Sequence, residues 1–207
     1  MTRPFRILYV CTGNICRSPV AERLTRQALA LRLGPDSGLI EVSSAGTHGL
    51  SGREMYAEAA TVLTAAGGDP SGFVARLMDV EHVASADLVL TATRDHRAAV
   101  ARLEPRAARR TFTIREFARL AAEVDPADLP GGDPLTRLQA AVGEAAAHRG
   151  LVRADDPDDD DVPDPYGGPA EGYEQSAGLI SAAAAPALDL LVTAAAPGPT
   201  VAHAATS

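Results

Sequence analysis

Cys11 and Arg17 bracket the run Cys11-Thr12-Gly13-Asn14-Ile15-Cys16-Arg17-Ser18-Pro19. Together they describe a cradle for an anion with a sulfur at its base. Gly13 tolerates the positive φ that lets successive N–H groups curl toward one point. A helix opening at Ser18–Pro19, with serine as N-cap and proline at the first helical position, adds unpaired N–H groups and a positive dipole end. The planar fork of Arg17 matches two oxygens of a phosphate. Cysteines held among such donors titrate at roughly 3.5–7.5 instead of about 8.5. The Ser18 hydroxyl, donating to the sulfur, favours the same charged form. A thiolate beneath a phosphate-shaped nest attacks phosphorus and gives a cysteinyl-phosphate. A lone cysteine is better read as a buried, inert small hydrophobe; the whole run, between a strand and a helix, is not.

Something must hold this loop. Arg6-Ile7-Leu8-Tyr9-Val10 is continuously apolar after its first residue, the pattern of a parallel strand covered on both faces. Beyond Pro19, Val20, Leu24, Ala28 and Leu31 fall on one helical stripe that ends before Gly34-Pro35. Further strands are expected over 39–43, 88–91 and 111–114, and helices over 55–66, 79–86, 94–103 and 115–123. This alternation predicts an α/β fold, a parallel sheet with helices on both faces. Ligands of such sheets bind beyond the carboxyl ends of the strands, where strand order switches. The loop after the first strand is such a place.

From 124 to 162 the sequence turns acidic and rich in Pro and Gly, with one helix expected over 135–149. It offers few large apolar residues and reads as an insertion within a single domain spanning 1–196. A closing helix over 171–195 places Ile180, Ala184, Leu188 and Leu191 on one face, and Pro186 should kink or interrupt it. The tail 197–207 reads as disordered. The acidic run from Asp155 to Asp161 reads as a solvated flexible linker; a sharper reading is that it disfavours acidic phosphopeptides.

The 207 residues carry 19 basic and 27 acidic side chains, a net charge of −8, so a nucleic-acid partner is not expected. Every basic residue is arginine, which excludes a Schiff-base lysine and a Walker-type loop. Two cysteines make no disulfide framework. His48, His82, His96, His148 and His203 show no metal-site spacing, so no metal is expected. The first apolar run is too short for a leader or a span. The expected location is cytoplasmic, without membrane insertion.

The segment from Val10 to Pro19 resembles the signature of low-molecular-weight protein-tyrosine phosphatases. The likeness continues at Val42-Ser43-Ser44-Ala45-Gly46-Thr47, Ala86-Asp87-Leu88-Val89-Leu90-Thr91 and Phe112-Thr113-Ile114-Arg115-Glu116-Phe117. The resemblance implies a four-stranded parallel sheet flanked by helices on both faces. It also implies hydrolysis of phosphotyrosine or small aryl phosphates without metal or cofactor, with phosphate as product and inhibitor. Thr12, Gly13, Asn14, Ile15, Cys16 and Ser18 would bind the phosphate beside Cys11 and Arg17. Composition alone chooses no general acid, because Asp-Pro pairs start at 69, 125, 133, 156 and 164. The family places its acid in an Asp-Pro-Tyr element before the last helix, which here is Asp164-Pro165-Tyr166, with Pro165 biasing Asp164 toward extended backbone. Tyr166 would wall the substrate ring, and Asn14 and Ser44 would form a hydrogen-bonded pair bracing the loop. Cys16 corresponds to a thiol able to shield the nucleophile in a reversible disulfide. A histidine usual in the bracing network is missing, since its segment reads Phe73-Val74-Ala75-Arg76. Ile15 is of the phosphotyrosine type, where phosphoarginine phosphatases carry threonine.

Two rival functions fit the residues less well. An arsenate reductase of the same fold that draws on thioredoxin needs further cysteines after the loop, and none follows Cys16. A non-catalytic phosphotyrosine-binding module would be expected to have lost Cys11, Arg17 or Asp164, and all three are present.

Overall fold

Phe5–Cys11 forms the central strand β1, with Phe5, Ile7 and Tyr9 buried on one face of the sheet and Leu8 and Val10 on the other. In the computed structural model, which describes residues 3–196, strand β2 (Ile40–Gly46) pairs with β1 from Phe5↔Ile40 to Cys11↔Gly46. Strand β3 (Leu88–Thr91) lies on the other side of β1, and β4 (Thr111–Thr113) lies beyond β3. The sheet is parallel throughout, in the order β2-β1-β3-β4. The chain leaves β1 toward one edge and later returns to its other side, so the loop after Cys11 sits at the switch point. Strand β2 runs three residues past the expected 39–43. Those residues, 44 to 46, pair with Tyr9, Val10 and Cys11 and carry Ser44 to the loop.

Helix α1 spans Arg17–Leu33 and corrects two expectations. Cys16, not Ser18, is its N-cap, and no side chain caps it, because the Ser18 hydroxyl is turned to Cys11 and Asn14. The inward face is only partly as expected: Val20 is buried and Leu24 and Ala28 pack against the core, but Leu31 is 79% exposed, and Ala21, Glu22, Thr25 and Leu29 are buried beside them. An apolar-only stripe misses Glu22 and Thr25 because they are polar, yet both have buried partners. Thr25 meets the Tyr9 hydroxyl at 2.9 Å, and Glu22 meets Ser44.

The remaining helices are α2 (Ala57–Ala65), α3 (Val80–Ser85), α4 (Arg94–Leu103), α5 (Ile114–Ala121), α6 (Pro134–Ala147) and α7 (Ala170–Ala195). Thr113 and Glu116 close a reciprocal capping box on α5. On one face of the sheet Leu8, Val10 and Val89 pack with Val83, Val100 and Ala107, the side of α3 and α4. The larger core, with Phe112, Phe117, Ile180 and Leu191, fills the other face. The 124–162 stretch joins that core: Val124, Leu129, Leu138, Val142 and Val162 are buried within it, with α6 laid against α5 and α7. Helix α7 runs unbroken through Pro186, where a kink or interruption was expected. Buried side chains pin it on both sides, Tyr173 and Ile180 before the proline and Leu188, Leu190 and Leu191 after it. It is long enough to cross a membrane and holds an 18-residue window of mean hydropathy 1.6, 44% of it buried; the helix packs against α1, α5 and α6.

Candidate active site

Four carbonyls of the first loop are turned outward. Cys11, Thr12, Gly13 and Ile15 accept from the N–H groups of Thr47, His48, Leu50 and Tyr56 at 2.9–3.0 Å. The N–H groups of residues 13–16 donate to no protein acceptor among the described residues. Asn14 makes the turn with φ 55°, the left-handed region that asparagine tolerates better than most residues. Its side chain is saturated: Nδ2 donates to Ser18 Oγ at 2.9 Å and Ser44 Oγ at 2.8 Å, and Oδ1 accepts from Arg76 N–H at 2.9 Å. Ser44 in turn donates to Glu22 Oε2 at 2.5 Å. Glu22, paired with Arg26 at 2.9 Å, anchors this network from α1 where the sequence lacks a histidine. Nothing in its spacing reveals this, because the contact exists only once β2 lies beside α1.

Loop and neighbouring strand approach so closely that Gly46 has no room for a side chain. A Cβ there would lie 2.5 Å from Thr12 O, 2.8 Å from Gly49 Cα and 2.9 Å from Asn14 N. All three are backbone atoms, so the loop itself must move. Gly46→Ala is therefore expected to lower kcat at least tenfold, since small misplacements of a reacting constellation are costly; wild-type kinetics in this variant would mean the loop is not held to this geometry.

Cys11 Sγ lies at the base, 3.0 Å from Ser18 Oγ. The buried guanidinium of Arg17 donates from Nη1 to Val162 O at 3.1 Å, and from Nη2 to Asp164 Oδ2 at 2.7 Å and Thr12 Oγ1 at 3.2 Å. Its Nε is buried with no acceptor, as are those of Arg23, Arg94 and Arg119. Cys11, Thr12, Gly13, Ile15, Cys16, Arg17, Asp164 and Tyr166 line one cavity of about 370 Å³, joined by His48 and Leu50. Among the candidate residues, Asn14, Ser18 and Ser44 stand behind the wall as braces. Tyr166 is 59% exposed at the mouth. Its ring meets Tyr56 edge-on at 5.1 Å, and Tyr56 stacks on Tyr173 at 6.0 Å. Both cysteines are free thiols. Burial, and then the neighbouring Cys11, push the Cys16 thiol up to about 12, so it stays protonated at neutral pH.

His96 is a second residue that the sequence reading passed over. Its Nε2 meets Thr12 Oγ1 at 2.9 Å and its Nδ1 meets Thr93 Oγ1 at 2.7 Å. Thr93 also caps α4, and that helix-start pattern hides the histidine's link to the loop. Burial, then the charge of Arg17, lower the His96 pKa from 6.5 to about 4. The unfolded chain therefore takes up a proton near pH 6.5 that the folded chain refuses until about pH 4. Stability is complete above pH 6.5 and is lost as pH falls between these values, by about 3 kcal/mol at most. Urea unfolding at pH 7 and pH 4.5 should show a smaller acid loss in His96→Gln than in wild type; equal losses would contradict a neutral buried imidazole.

The family model "Low molecular weight phosphotyrosine protein phosphatase" matches residues 6–142. The chain belongs to this family. A low molecular weight protein-tyrosine-phosphatase of Streptomyces coelicolor is 32% identical over 184 residues, covering 86% of this chain and 88% of that one. A protein-arginine-phosphatase of Geobacillus stearothermophilus is 36% identical over 141 residues, 68% of this chain and 88% of that one. Among solved structures, the low molecular weight protein tyrosine phosphatase from T. tengcongensis aligns with a TM-score of 0.63 at 30% identity, over 89% of this chain and 98% of that one. The phosphatase-family match stops at residue 142, short of Asp164 and α7.

Proposed function

We propose that this chain hydrolyses phosphotyrosine and related aryl phosphate monoesters through a cysteinyl-phosphate. The single cavity that brings together the Cys11 thiol, Arg17 and Asp164, beside loop N–H groups with no protein acceptor, carries the reading. A phosphate dianion satisfies those donors together, and they stabilise the charge that builds on its oxygens in the transition state. The Cys11 thiolate attacks phosphorus as the aryl P–O bond breaks, and Asp164 delivers its proton to the departing phenolate. Asp164 is paired with Arg17, and a phosphate oxygen would compete with that carboxyl for the guanidinium. In the second half Asp164 removes a proton from the attacking water, the S–P bond breaks, and phosphate and thiolate are released. Asn14, Ser18 and Ser44 keep the nest in shape.

The aryl group is supported by the walls. Ile15, Leu50 and Tyr166 offer apolar surface around the cavity mouth, whereas a phosphoguanidino group asks for polar partners. One relative is named an arginine phosphatase, so substrate class is the point to test. With EDTA present, phosphotyrosine and p-nitrophenyl phosphate should be turned over well ahead of phosphoarginine, phosphoserine and arsenate. Preference for phosphoarginine, or a requirement for added metal, would overturn the reading. The two free thiols fit a reducing, cytoplasmic setting.

A further inference from the structure

The acidic run before Asp164 is not a free linker. Among its four consecutive aspartates, Asp158 pairs with Arg94, Asp159 with Arg115 at 3.8 Å, and Asp160 with Arg119 through both carboxylate oxygens at 2.5 and 3.3 Å. Asp161 accepts the Arg94 backbone N–H at 2.8 Å, and its own carbonyl accepts from Arg115 at 3.3 Å. These arginines stand on α4 and α5, so the run is clasped onto two helices. The next residue, Val162, is fully buried. Its N–H donates to Ala92 O at 2.8 Å just past β3, and its carbonyl accepts from Arg17. Two residues later comes Asp164.

The pairs do not weigh equally. The side chains of Asp158 and Asp159 are 84% and 56% exposed, and pairs so open to water contribute little. Asp160 and Arg119 are 13% and 25% exposed with two-point geometry, and the Asp161 bond is to backbone. The grip therefore lies at Asp160 and Asp161.

We propose that Arg119 and Asp160 are positioning residues for the general acid. By fixing the chain ahead of Val162 they set where the Asp164 carboxyl meets the leaving oxygen. This rests on the phosphatase reading above and adds residues that touch neither substrate nor phosphate. A misplaced acid has a particular kinetic mark. Phenolate needs its proton as the P–O bond breaks, whereas p-nitrophenolate leaves nearly as well without one.

The test is the ratio of kcat/KM for phenyl phosphate to that for p-nitrophenyl phosphate, measured in Arg119→Ala, Asp160→Asn and the reversed pair Arg119→Asp with Asp160→Arg. Partial unfolding lowers both constants equally and cancels in the ratio. The expected result is a ratio about tenfold lower in each single variant, a modest share of the ~10²–10⁴ that a general acid contributes, and largely regained in the reversed pair. An unchanged ratio in the single variants, whatever happens to overall activity, overturns the proposal. Wild type that hydrolyses neither ester overturns the phosphatase reading, and this proposal with it.

Discussion

Replacing Cys11 by serine should lower kcat/KM for p-nitrophenyl phosphate by on the order of 10⁵-fold, about 7 kcal/mol of barrier, because no other group in the cavity can take the nucleophile's place. A hydroxyl in the same nest remains protonated and is a far weaker nucleophile than a thiolate. The donors around it are untouched: the loop N–H groups remain without protein acceptors, and Arg17 still lines the cavity. Inorganic phosphate should therefore bind the variant within a few-fold of wild type when titrated by calorimetry. Turnover within a hundredfold of wild type would remove sulfur from the mechanism. Loss of phosphate binding together with turnover would point instead to a collapsed loop.

The Asp164→Asn variant should lose ~10²–10⁴ in kcat/KM for phenyl phosphate, about 3–5 kcal/mol, and much less for p-nitrophenyl phosphate. An amide keeps the size but carries no charge to hold Arg17 and cannot give up a proton. Because the carboxylate no longer competes for the guanidinium, phosphate should inhibit the variant at least as strongly as it inhibits wild type. Equal losses on both esters would move the acid's role to another residue.

Much of this architecture is legible in the sequence because local pattern and global fold agree. The apolar run of β1, the strands at 88–91 and 111–113 and the helix at 94–103 fall where periodicity puts them. The loop is legible for the same reason, since its Gly, Asn, Arg and Ser must be consecutive to do their work. What escapes is whatever depends on elements meeting. Glu22 braces Ser44 across 22 residues, His96 reaches Thr12 across 84, and Leu50 enters the cavity only because β2's exit doubles back over the loop. The acidic run misleads in a different way. Like charges repel and extend when considered along the chain, but the arginines that neutralise these lie 41 to 67 residues earlier on two other helices. Asp164 stands between these cases. Its Asp-Pro-Tyr setting marks it, but only the fold brings it within 2.7 Å of Arg17.

The protein has four tyrosines and no tryptophan. Three of those rings, Tyr56, Tyr166 and Tyr173, form the chain of aromatic contacts at the entrance. Ultraviolet emission thus originates mostly beside the substrate's path, with no indole to drain or mask it. Occupancy should modulate that glow directly, giving an intrinsic optical gauge of ligand arrival that requires no dye, tag or engineered reporter.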